Sequence, residues 1–274
     1  MKKLAGKVAI VTGAGRGVGR ATALLLAREG AAVVVNDLDV DEANSTMNKI
    51  LASGHSASVC AGNVTDPLFP DRLIQTALDT YGQIDILINN AGYIWNGAMH
   101  NHSDEQWQAM LDIHITAPFK ILKSFSGWLR QQAKKEIAEQ GVAVCRKIVN
   151  VSSVSGTNGS ATQVAYSSGK AAVIGLTKTL AKEWGRYNVT VNCVAFGHID
   201  TRLTQLYTEE PPSINVDGKN VKVGLSETMV QSVTQMAPLG RVGQPEDGAG
   251  AIYLFCIPES NFITGEVLTC SGGA

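Results

Sequence analysis

The chain has 274 residues, of which 45% are hydrophobic and 17% charged, and its formal net charge is −1. This is the composition of an ordinary globular protein, long enough to bury a large core without disulfides or metals. The near-zero charge argues against a nucleic-acid partner, and no apolar run is long enough to predict a membrane helix.

Short apolar runs alternate with stretches of helical periodicity from the N-terminus onward. The runs rich in β-branched residues predict strands at Lys7–Thr12, Ala32–Asn36, Ser56–Cys60, Ile84–Asn89, Ile148–Ser152 and Thr190–Ala195. The periodic stretches predict helices at Val18–Glu29, Asp41–Ser53, Pro67–Tyr81, Ser103–Arg130 and Ala165–Gly185. This order predicts a single α/β domain over residues 1–274, a doubly wound parallel sheet with helices on both faces.

Two stretches interrupt the alternation. Residues 131–146 extend a helix and add a connector before the next strand. Residues 201–243 form a long segment with Pro211, Pro212 and Gly218 near its middle. Because long irregular segments in compact domains are usually functional, we expect a substrate-covering lid at about 201–243, with a plain insertion as the alternative.

The cysteines bear on location and metal binding. They are scattered without a CxxC pair, at Cys60, Cys145, Cys193, Cys256 and Cys270. An odd, dispersed set argues against a disulfide framework and against a zinc site. Reduced thiols, together with an N-terminal apolar run too short for a signal peptide, predict a cytoplasmic protein.

The first predicted strand ends in a glycine-rich turn, Thr12-Gly13-Ala14-Gly15-Arg16-Gly17-Val18-Gly19. The GxGxxG pattern does not fit from Gly13, whereas TGxxxGxG does. Glycines there let the backbone turn sharply, and the following helix points its free N–H groups at the same place. The turn therefore predicts a pyrophosphate site, as in dinucleotide-binding folds.

Asp37 ends the second predicted strand, 20 residues after Gly17. A carboxylate at that place accepts hydrogen bonds from the ribose hydroxyls of NAD and repels the 2′-phosphate of NADP. Arg16 points the other way, since it could attract that phosphate, and Asp37 could also be a plain turn residue. We expect NAD as the cofactor, with NADP as the alternative.

Tyr166 and Lys170 lie four residues apart on one face of a predicted helix. A nearby ammonium favours the phenolate, so we expect Lys170 to lower the pKa of Tyr166. Ser153 follows the strand before this helix, at the sheet edge where ligands bind. The three side chains predict acid–base chemistry on a substrate oxygen.

Together with the glycine turn, these motifs resemble the short-chain dehydrogenase/reductase family. The matching segments are Thr12-Gly13-x-x-x-Gly17-x-Gly19, Asn63-Val64, Asn89-Asn90-Ala91-Gly92, Ser153 and Tyr166-x-x-x-Lys170. The resemblance implies a Rossmann-type fold and hydride transfer between NAD(H) and a secondary alcohol or ketone. It implies catalytic roles for Ser153, Tyr166 and Lys170, and cofactor contacts at Gly13, Arg16, Gly17, Val18, Gly19, Asp37, Leu38, Asn63, Val64, Asn89, Ala91, Gly92, Tyr166, Lys170, Ile199 and Thr201.

Two residues depart from the family pattern. His114 stands where the family usually has an Asn that marks a helix distortion, and it is a candidate catalytic residue that could shuttle protons. A packed, neutral histidine is the alternative. Phe196 precedes Gly197 where the family usually has Pro, and we expect its ring to form an aromatic wall near the nicotinamide.

Several segments resemble 3-oxoacyl thioester reductases, and the second strand is similar to those of NAD-linked hydroxyacyl and hydroxysteroid dehydrogenases. The resemblance also implies a homotetramer. Two alternatives are a non-catalytic nucleotide sensor, which should have lost Ser153, Tyr166 or Lys170, and a methyltransferase, which needs no Tyr-x-x-x-Lys pair. No metal, nucleic-acid or membrane partner is expected.

Overall fold

The computed structural model describes residues 2–207, 209–211, 213–216 and 218–274, with the main chain alone at 219, 225, 226, 228–231 and 233. Pro212, in the predicted lid, lies outside the described residues. The strands are β1 Val8–Val11, β2 Ala32–Val35, β3 Ala57–Val59, β4 Ile86–Asn89, β5 Arg146–Ser153, β6 Val189–Phe196, β7 Leu206–Tyr207, β8 Ser213–Val216, β9 Lys219–Lys222, β10 Leu225–Ser226 and β11 Val267–Cys270. The α-helices are α1 Gly17–Arg28, α2 Val40–Ala52, α3 Phe69–Tyr81, α4 Asp104–Leu111, α5 Ala117–Gln140, α6 Val154–Asn158, α7 Val164–Trp184, α8 Glu227–Met236 and α9 Pro245–Leu254.

The central sheet in the described part of the chain has seven parallel strands in the order β11-β6-β5-β4-β1-β2-β3. Each of the six predicted strands is present, and the predicted doubly wound parallel sheet is confirmed. The chain reverses its direction of winding between β1 and β4, and ligands bind at such a switch point in open α/β sheets. The carboxyl ends of β1 and β4 are therefore where the functional site is expected.

Each face of the sheet is covered by its own apolar core. One core packs β-branched side chains of the sheet against α1 and α9, with Leu26 and Ile252 fully buried. The other packs the opposite face against α3, α5 and α7, with Phe125 and Leu73 fully buried. Strands enclosed on both faces read as continuous apolar runs, which is why the sequence identifies them.

The predicted long helical region is two α-helices joined by a π-helical turn, Asp112–Thr116. The predicted extension is also present, since α5 continues to Gln140 and Gly141 ends it in a left-handed conformation. The buried Glu136 carboxylate near this end pairs with Arg146 at the start of β5, at 2.5 Å. This ion pair fastens the extension to the sheet, away from the carboxyl edge.

The predicted irregular segment contains regular structure of its own. The antiparallel hairpin β8–β9 carries Ile214 and Val221, and Val223 follows it directly. All three side chains are buried and pack with Tyr93 and Trp95. The short strands β7 and β10 pair in parallel, and α8 follows them. The segment is thus folded back on the sheet edge and not an irregular loop.

The last helix and strand are absent from the sequence-based prediction. Helix α9 packs on α1, and β11 pairs with β6 at the end of the sheet. Four of the ten α9 residues are Gly or Ala, so its apolar stripe is weak, and β11 is only four residues long. Among the described residues, no helix is both long and apolar enough to span a bilayer. The cytoplasmic location stays a prediction.

Candidate functional site

The glycine turn after β1 is locked to the end of β4. The Thr12 hydroxyl accepts the N–H groups of Asn90 and Ala91, each at 3.0 Å. The Asn90 amide donates to the carbonyls of Thr12 and Gly13 at 2.9 and 3.1 Å. Asn90 was not singled out by the sequence reasoning, although it stands inside the quoted Asn89-Asn90-Ala91-Gly92 motif. These bonds hold the turn open at the switch point.

The glycines of this turn have no room for side chains. A Cβ on Gly19 would lie 2.0 Å from the Gly13 carbonyl oxygen, and Gly13 itself has a positive φ of 62°. The first residues of α1 follow directly, and their N–H groups receive no side-chain cap. A narrow main-chain cradle at a helix N-terminus fits a pyrophosphate.

Two residues from after β6, both expected to contact the cofactor, have neighbours in this cradle. A Cβ on Gly17 would stand 3.3 Å from the Thr201 methyl group. Ile199 packs in the same apolar core as Val18. The structure therefore brings Gly17, Val18, Ile199 and Thr201 together on one side of the cradle.

Several carboxylate side chains follow the end of β2 and lie beside the glycine turn. The Asp37 carboxylate accepts the Gly15 N–H at 2.8 Å and the Asp39 N–H at 3.0 Å. The Arg16 guanidinium pairs with Asp39 and Glu42, both at 3.0 Å. Arg16 thus reaches toward the start of α2. Leu38, the other predicted contact here, is 42% exposed.

The next stretch, after β3, lies beside the end of β2. The Asn36 amide donates to the carbonyls of Cys60 and Gly62, both at 3.0 Å. The Asn63 side-chain oxygen accepts the N–H and the hydroxyl of Thr65 at 2.9 and 2.8 Å, and Val64 is buried. These bonds place Asn63 and Val64 at the outer end of the cleft. Asn36, which ties the two strand ends together, is a second residue that the sequence reasoning missed.

Ser153, Tyr166 and Lys170 converge where β5 ends and α7 begins. The Ser153 hydroxyl caps α6 by accepting the Ser155 N–H at 3.1 Å, and it also hydrogen-bonds the Tyr166 hydroxyl. The Lys170 ammonium donates to the Val151 carbonyl at 2.7 Å and lies 5.8 Å from the centre of the Tyr166 ring. The predicted convergence of three side chains is therefore present.

The protonation of this group differs from the sequence expectation. Burial raises the pKa of Tyr166 to about 12, against the opposing effect of the Ser153 hydrogen bond. Burial lowers the pKa of Lys170 to about 8. The expected lowering of the Tyr166 pKa is therefore wrong, because desolvation of the buried phenol outweighs the Ser153 hydrogen bond. At neutral pH the phenol is protonated and can donate to a carbonyl oxygen.

His114 lies in the π-helical turn, buried against this group. Its Nε2 is 2.8 Å from the Tyr93 carbonyl oxygen, and its ring meets the Tyr166 ring edge to face at 4.9 Å between centres. Burial and the charge of Lys170 hold the pKa of His114 well below its ordinary value. His114 is thus neutral near pH 7, which favours the packed, neutral alternative over a proton shuttle.

The residues after β4 form the wall between cradle and catalytic group. The Asn89 amide donates to the Asn150 side chain at 2.8 Å, inside the sheet. A Cβ on Gly92 would lie 2.6 Å from the His114 ring, so only glycine fits there. That Asn89, Ala91 and Gly92 line a cofactor cleft stays a prediction.

The Phe196 ring is buried in an apolar core and does not form an exposed aromatic wall of the cleft. It is only 9% exposed and belongs to the core that holds Val18 and Ile252. Its ring comes within 3.3 Å of the place where a Cβ on Gly248 of α9 would stand. Apolar burial under α9 accounts for this aromatic residue.

Comparison with known proteins shows that this chain matches a family model and is similar to several enzymes over nearly its whole length. A family model described as short chain dehydrogenase matches residues 7–212. A 3-oxoacyl-[acyl-carrier-protein] reductase from Synechocystis sp. is 37% identical over 100% of this chain and 98% of its own length. The (2S)-[(R)-hydroxy(phenyl)methyl]succinyl-CoA dehydrogenase subunit BbsD from Thauera aromatica is 33% identical over 97% of this chain and 96% of its own length.

A solved structure has the same architecture. It is a 7α-hydroxysteroid dehydrogenase in complex with NADH and 7-oxo glycochenodeoxycholic acid, 27% identical, with a TM-score of 0.84 over 99% of this chain and 95% of that chain. In the described ranges of the present chain, no group of three or more His, Cys, Asp or Glu side chains is placed to hold a metal ion.

Proposed function

Because this chain belongs to the short-chain dehydrogenase family, and is thus a nicotinamide-dependent oxidoreductase acting on hydroxyl or keto groups, we propose that it uses NAD(H) and the Ser153–Tyr166–Lys170 group. The observation that carries this proposal is the convergence of these three side chains beside a glycine cradle at the switch point of the sheet. The nicotinamide cofactor supplies the hydride chemistry, while the protein supplies positions and charge.

In the direction of ketone reduction, Tyr166 donates its proton to the carbonyl oxygen as that oxygen gains negative charge. Ser153 donates a hydrogen bond to the same oxygen and so fixes its position. Lys170 holds a positive charge beside the phenol and stabilises the phenolate that remains after proton transfer. With its pKa raised, Tyr166 is protonated at neutral pH, which is the form that a proton donor needs.

The cofactor is held along the cradle and the neighbouring strand ends. Gly13, Gly17, Val18 and Gly19, with Ile199 and Thr201 behind them, receive the pyrophosphate and the nicotinamide amide. Asn63 and Val64 contact the adenine, and Asn89, Ala91 and Gly92 line the cleft toward the nicotinamide. Lys170 also binds the nicotinamide ribose.

NAD is preferred over NADP because of the charge at the end of β2. Asp37 is fixed there by two main-chain N–H groups, and Leu38 lies next to it. Arg16 has two carboxylates as partners, which reduces its attraction for a 2′-phosphate. The acidic surroundings therefore disfavour a phosphorylated ribose, and NADP remains the alternative.

The segment at about 201–243 acts as the lid over the substrate. Its hairpin packs on Tyr93 and Trp95, which directly follow the cleft wall at Gly92. The substrate is a ketone or secondary alcohol, and the similarity to 3-oxoacyl-carrier reductases supports a 3-oxoacyl thioester. The likeness to a hydroxysteroid dehydrogenase supports a bulky cyclic ketone as the second candidate.

The test is an absorbance screen of 3-oxoacyl thioesters and cyclic ketones with NADH and with NADPH, followed by Tyr166→Phe on the best substrate. We expect Tyr166→Phe to lower turnover by about 10²-fold or more, the range for loss of a general acid. Tyr187→Phe, outside the site, is the matched control and should retain activity. Near-normal turnover in Tyr166→Phe would refute the proposed role.

A further inference from the structure

The segment at about 201–243 begins with a tightly hydrogen-bonded turn that touches the glycine cradle. The Thr204 hydroxyl donates to the Ile199 carbonyl at 2.6 Å and accepts the Thr201 N–H at 3.0 Å. The Thr204 N–H donates to the Thr201 carbonyl at 2.9 Å. A Cβ on Gly17 would lie 3.3 Å from the Thr201 methyl group, so the turn is in contact with the first residue of α1. These bonds give the turn a fixed place beside the cradle.

Two arginines flank this contact between the turn and the cradle. Arg202 follows Thr201 within the turn, and Arg16 precedes Gly17. Because Gly17 and Thr201 touch, both side chains start close to the N-terminus of α1. Arg16 pairs with two carboxylates at 3.0 Å. The Arg202 guanidinium, by contrast, forms no hydrogen bond or ion pair with any residue that the structure describes.

The surroundings of the Arg202 guanidinium are those of an anion site. Desolvation and the charge of Arg16 lower the pKa of Arg202, and the carboxylates after β2 raise it, so these groups lie within electrostatic range. The planar fork of a guanidinium matches two oxygens of one phosphate. The N-terminus of α1 offers only about half a unit of positive charge, which is less than the charge of a pyrophosphate. An unpaired arginine at this place can supply the remainder.

We propose that Arg202 binds the pyrophosphate of the dinucleotide and holds it against the N-terminus of α1. This inference rests on the proposed function and adds a cofactor-binding residue that belongs to the segment over the cleft. A 2′-phosphate is the other anion that a guanidinium could meet here. Asp37 disfavours it, because two main-chain N–H groups fix that carboxylate at the end of β2.

Binding measured without turnover tests the proposal. NADH is titrated by its fluorescence, and ADP-ribose and adenosine are measured by competition with NADH. We expect Arg202→Gln to raise the Kd of NADH and of ADP-ribose by about tenfold, the range for loss of a charge-assisted hydrogen bond. Adenosine, which has no phosphate, should bind as before. Arg202→Lys keeps the charge without the fork and should lose less affinity. Arg186→Gln, at an exposed position before β6, is the matched control.

NADPH separates the two phosphates, because it has both the pyrophosphate and the 2′-phosphate. We expect Arg202→Gln to weaken NADPH and NADH by the same factor. A loss confined to NADPH would assign Arg202 to the 2′-phosphate and overturn the proposal. Unchanged NADH binding in Arg202→Gln, or an equal loss for adenosine, would overturn it too. If the unaltered chain bound neither NADH nor NADPH, the proposed function itself would fail, so the two failures are distinguishable.

Discussion

Asp37 illustrates how much a single carboxylate can decide in this site. It is bound by the Gly15 and Asp39 N–H groups, so its position is fixed before any ligand arrives. Its neighbour Arg16 is drawn aside by Asp39 and Glu42. Two unit charges 4 Å apart near a protein surface interact by about 4 kcal/mol, which is enough for strong discrimination against a phosphate.

Asp37→Ala should therefore shift cofactor preference toward NADP. We expect the ratio of kcat/KM for NADH over NADPH to fall by about tenfold or more, since about 1.4 kcal/mol corresponds to a factor of ten. Paired steady-state kinetics with the two cofactors measure this. Asp41→Ala is the control, because Asp41 is an exposed carboxylate in the first turn of α2, and this variant should leave the ratio unchanged. An unaltered ratio in Asp37→Ala removes this residue as the discriminator.

Residue identities at the site could be predicted from the sequence, but their protonation could not. Ser153, Tyr166 and Lys170 converge as the motif spacing predicts. The pKa of Tyr166 depends on how completely the phenol is buried, and the motif contains no such information. Asn90 and Asn36 were missed because their side-chain amides donate hydrogen bonds to main-chain carbonyls. Such bonds have no sequence signature, since many polar residues can make them.

At the scale of elements, the hairpin β8–β9 forms a two-stranded sheet of its own, separate from the central sheet. Its buried side chains are Ile214 and Val221, and together with Val223, which follows β9, they pack on Tyr93 and Trp95. The sequence predicted a lid in this region but not a hairpin. Turn-forming and polar residues dominate this stretch, and its few apolar residues show no clear periodicity. Their burial follows from contacts with Tyr93 and Trp95, which are distant in sequence.

Val221→Ala tests whether this hairpin covers the substrate. Removing two buried methyl groups costs about 1–2 kcal/mol locally and loosens the hairpin. We expect KM for the ketone to rise at least several-fold while KM for NADH stays within about twofold. Val142→Ala, at an exposed position in the connector after α5, is the matched control. Equal changes in both KM values, or none, would count against a lid.

The extension of α5 owes its position to one buried ion pair. The Arg146 hydrogen bond lowers the pKa of Glu136 to about 2 from its ordinary 4.5, so the pair stabilises the folded state above that ordinary value and stops doing so as pH falls through about 2. Glu136→Gln leaves Arg146 buried without a counter-charge. We expect it to lower the free energy of unfolding at pH 7 by about 3 kcal/mol.

Urea denaturation at neutral and acidic pH measures this effect. The wild-type chain should lose more stability than Glu136→Gln between pH 4.5 and about 2, because only the wild type has the carboxylate to protonate. Glu139→Gln, exposed three residues along the same helix, should match the wild type. Parallel pH profiles for wild type and Glu136→Gln would contradict the assignment.

At the scale of the whole molecule, apolar side chains are exposed near the last strand. Phe262 is fully exposed, and Leu254 and Ile263 are 54% and 41% exposed. Leu254 ends α9, Phe262 and Ile263 lie between α9 and β11, and β11 is the edge of the sheet. Exposed apolar groups beside an open edge are typical of subunit interfaces, and on this ground we propose the homotetramer that the family resemblance implies.

Phe262→Asp should weaken that assembly. We expect light scattering to give about four times the 29.0 kDa chain for the wild type and a smaller mass for the variant. Leu68→Asp is the control, because Leu68 is also an exposed apolar residue but lies at the start of α3, and this variant should keep the larger mass. A wild-type mass of one chain would end the proposal of a tetramer.

The alternation of strands and helices predicted the whole sheet except its last strand. Parallel strands buried on both faces have a strong apolar signal, whereas β11 is a short edge strand and α9 is rich in small residues. Helix α9 and strand β11 are held by contacts with α1 and β6, which are distant in sequence. Local sequence patterns do not report such contacts.

The two ends of the segment over the cleft are fastened to each other. The Asp200 N–H donates to the Gly243 carbonyl at 2.8 Å, and the Gly243 N–H donates to the His198 carbonyl at 3.0 Å. The segment between them therefore starts and finishes at one place on the sheet edge, and a change in its length need not displace the strands on either side. The part after Thr201 can therefore be exchanged as a unit, and substrate range can diverge among such proteins while the proposed cofactor contacts at Ile199 and Thr201 stay as they are.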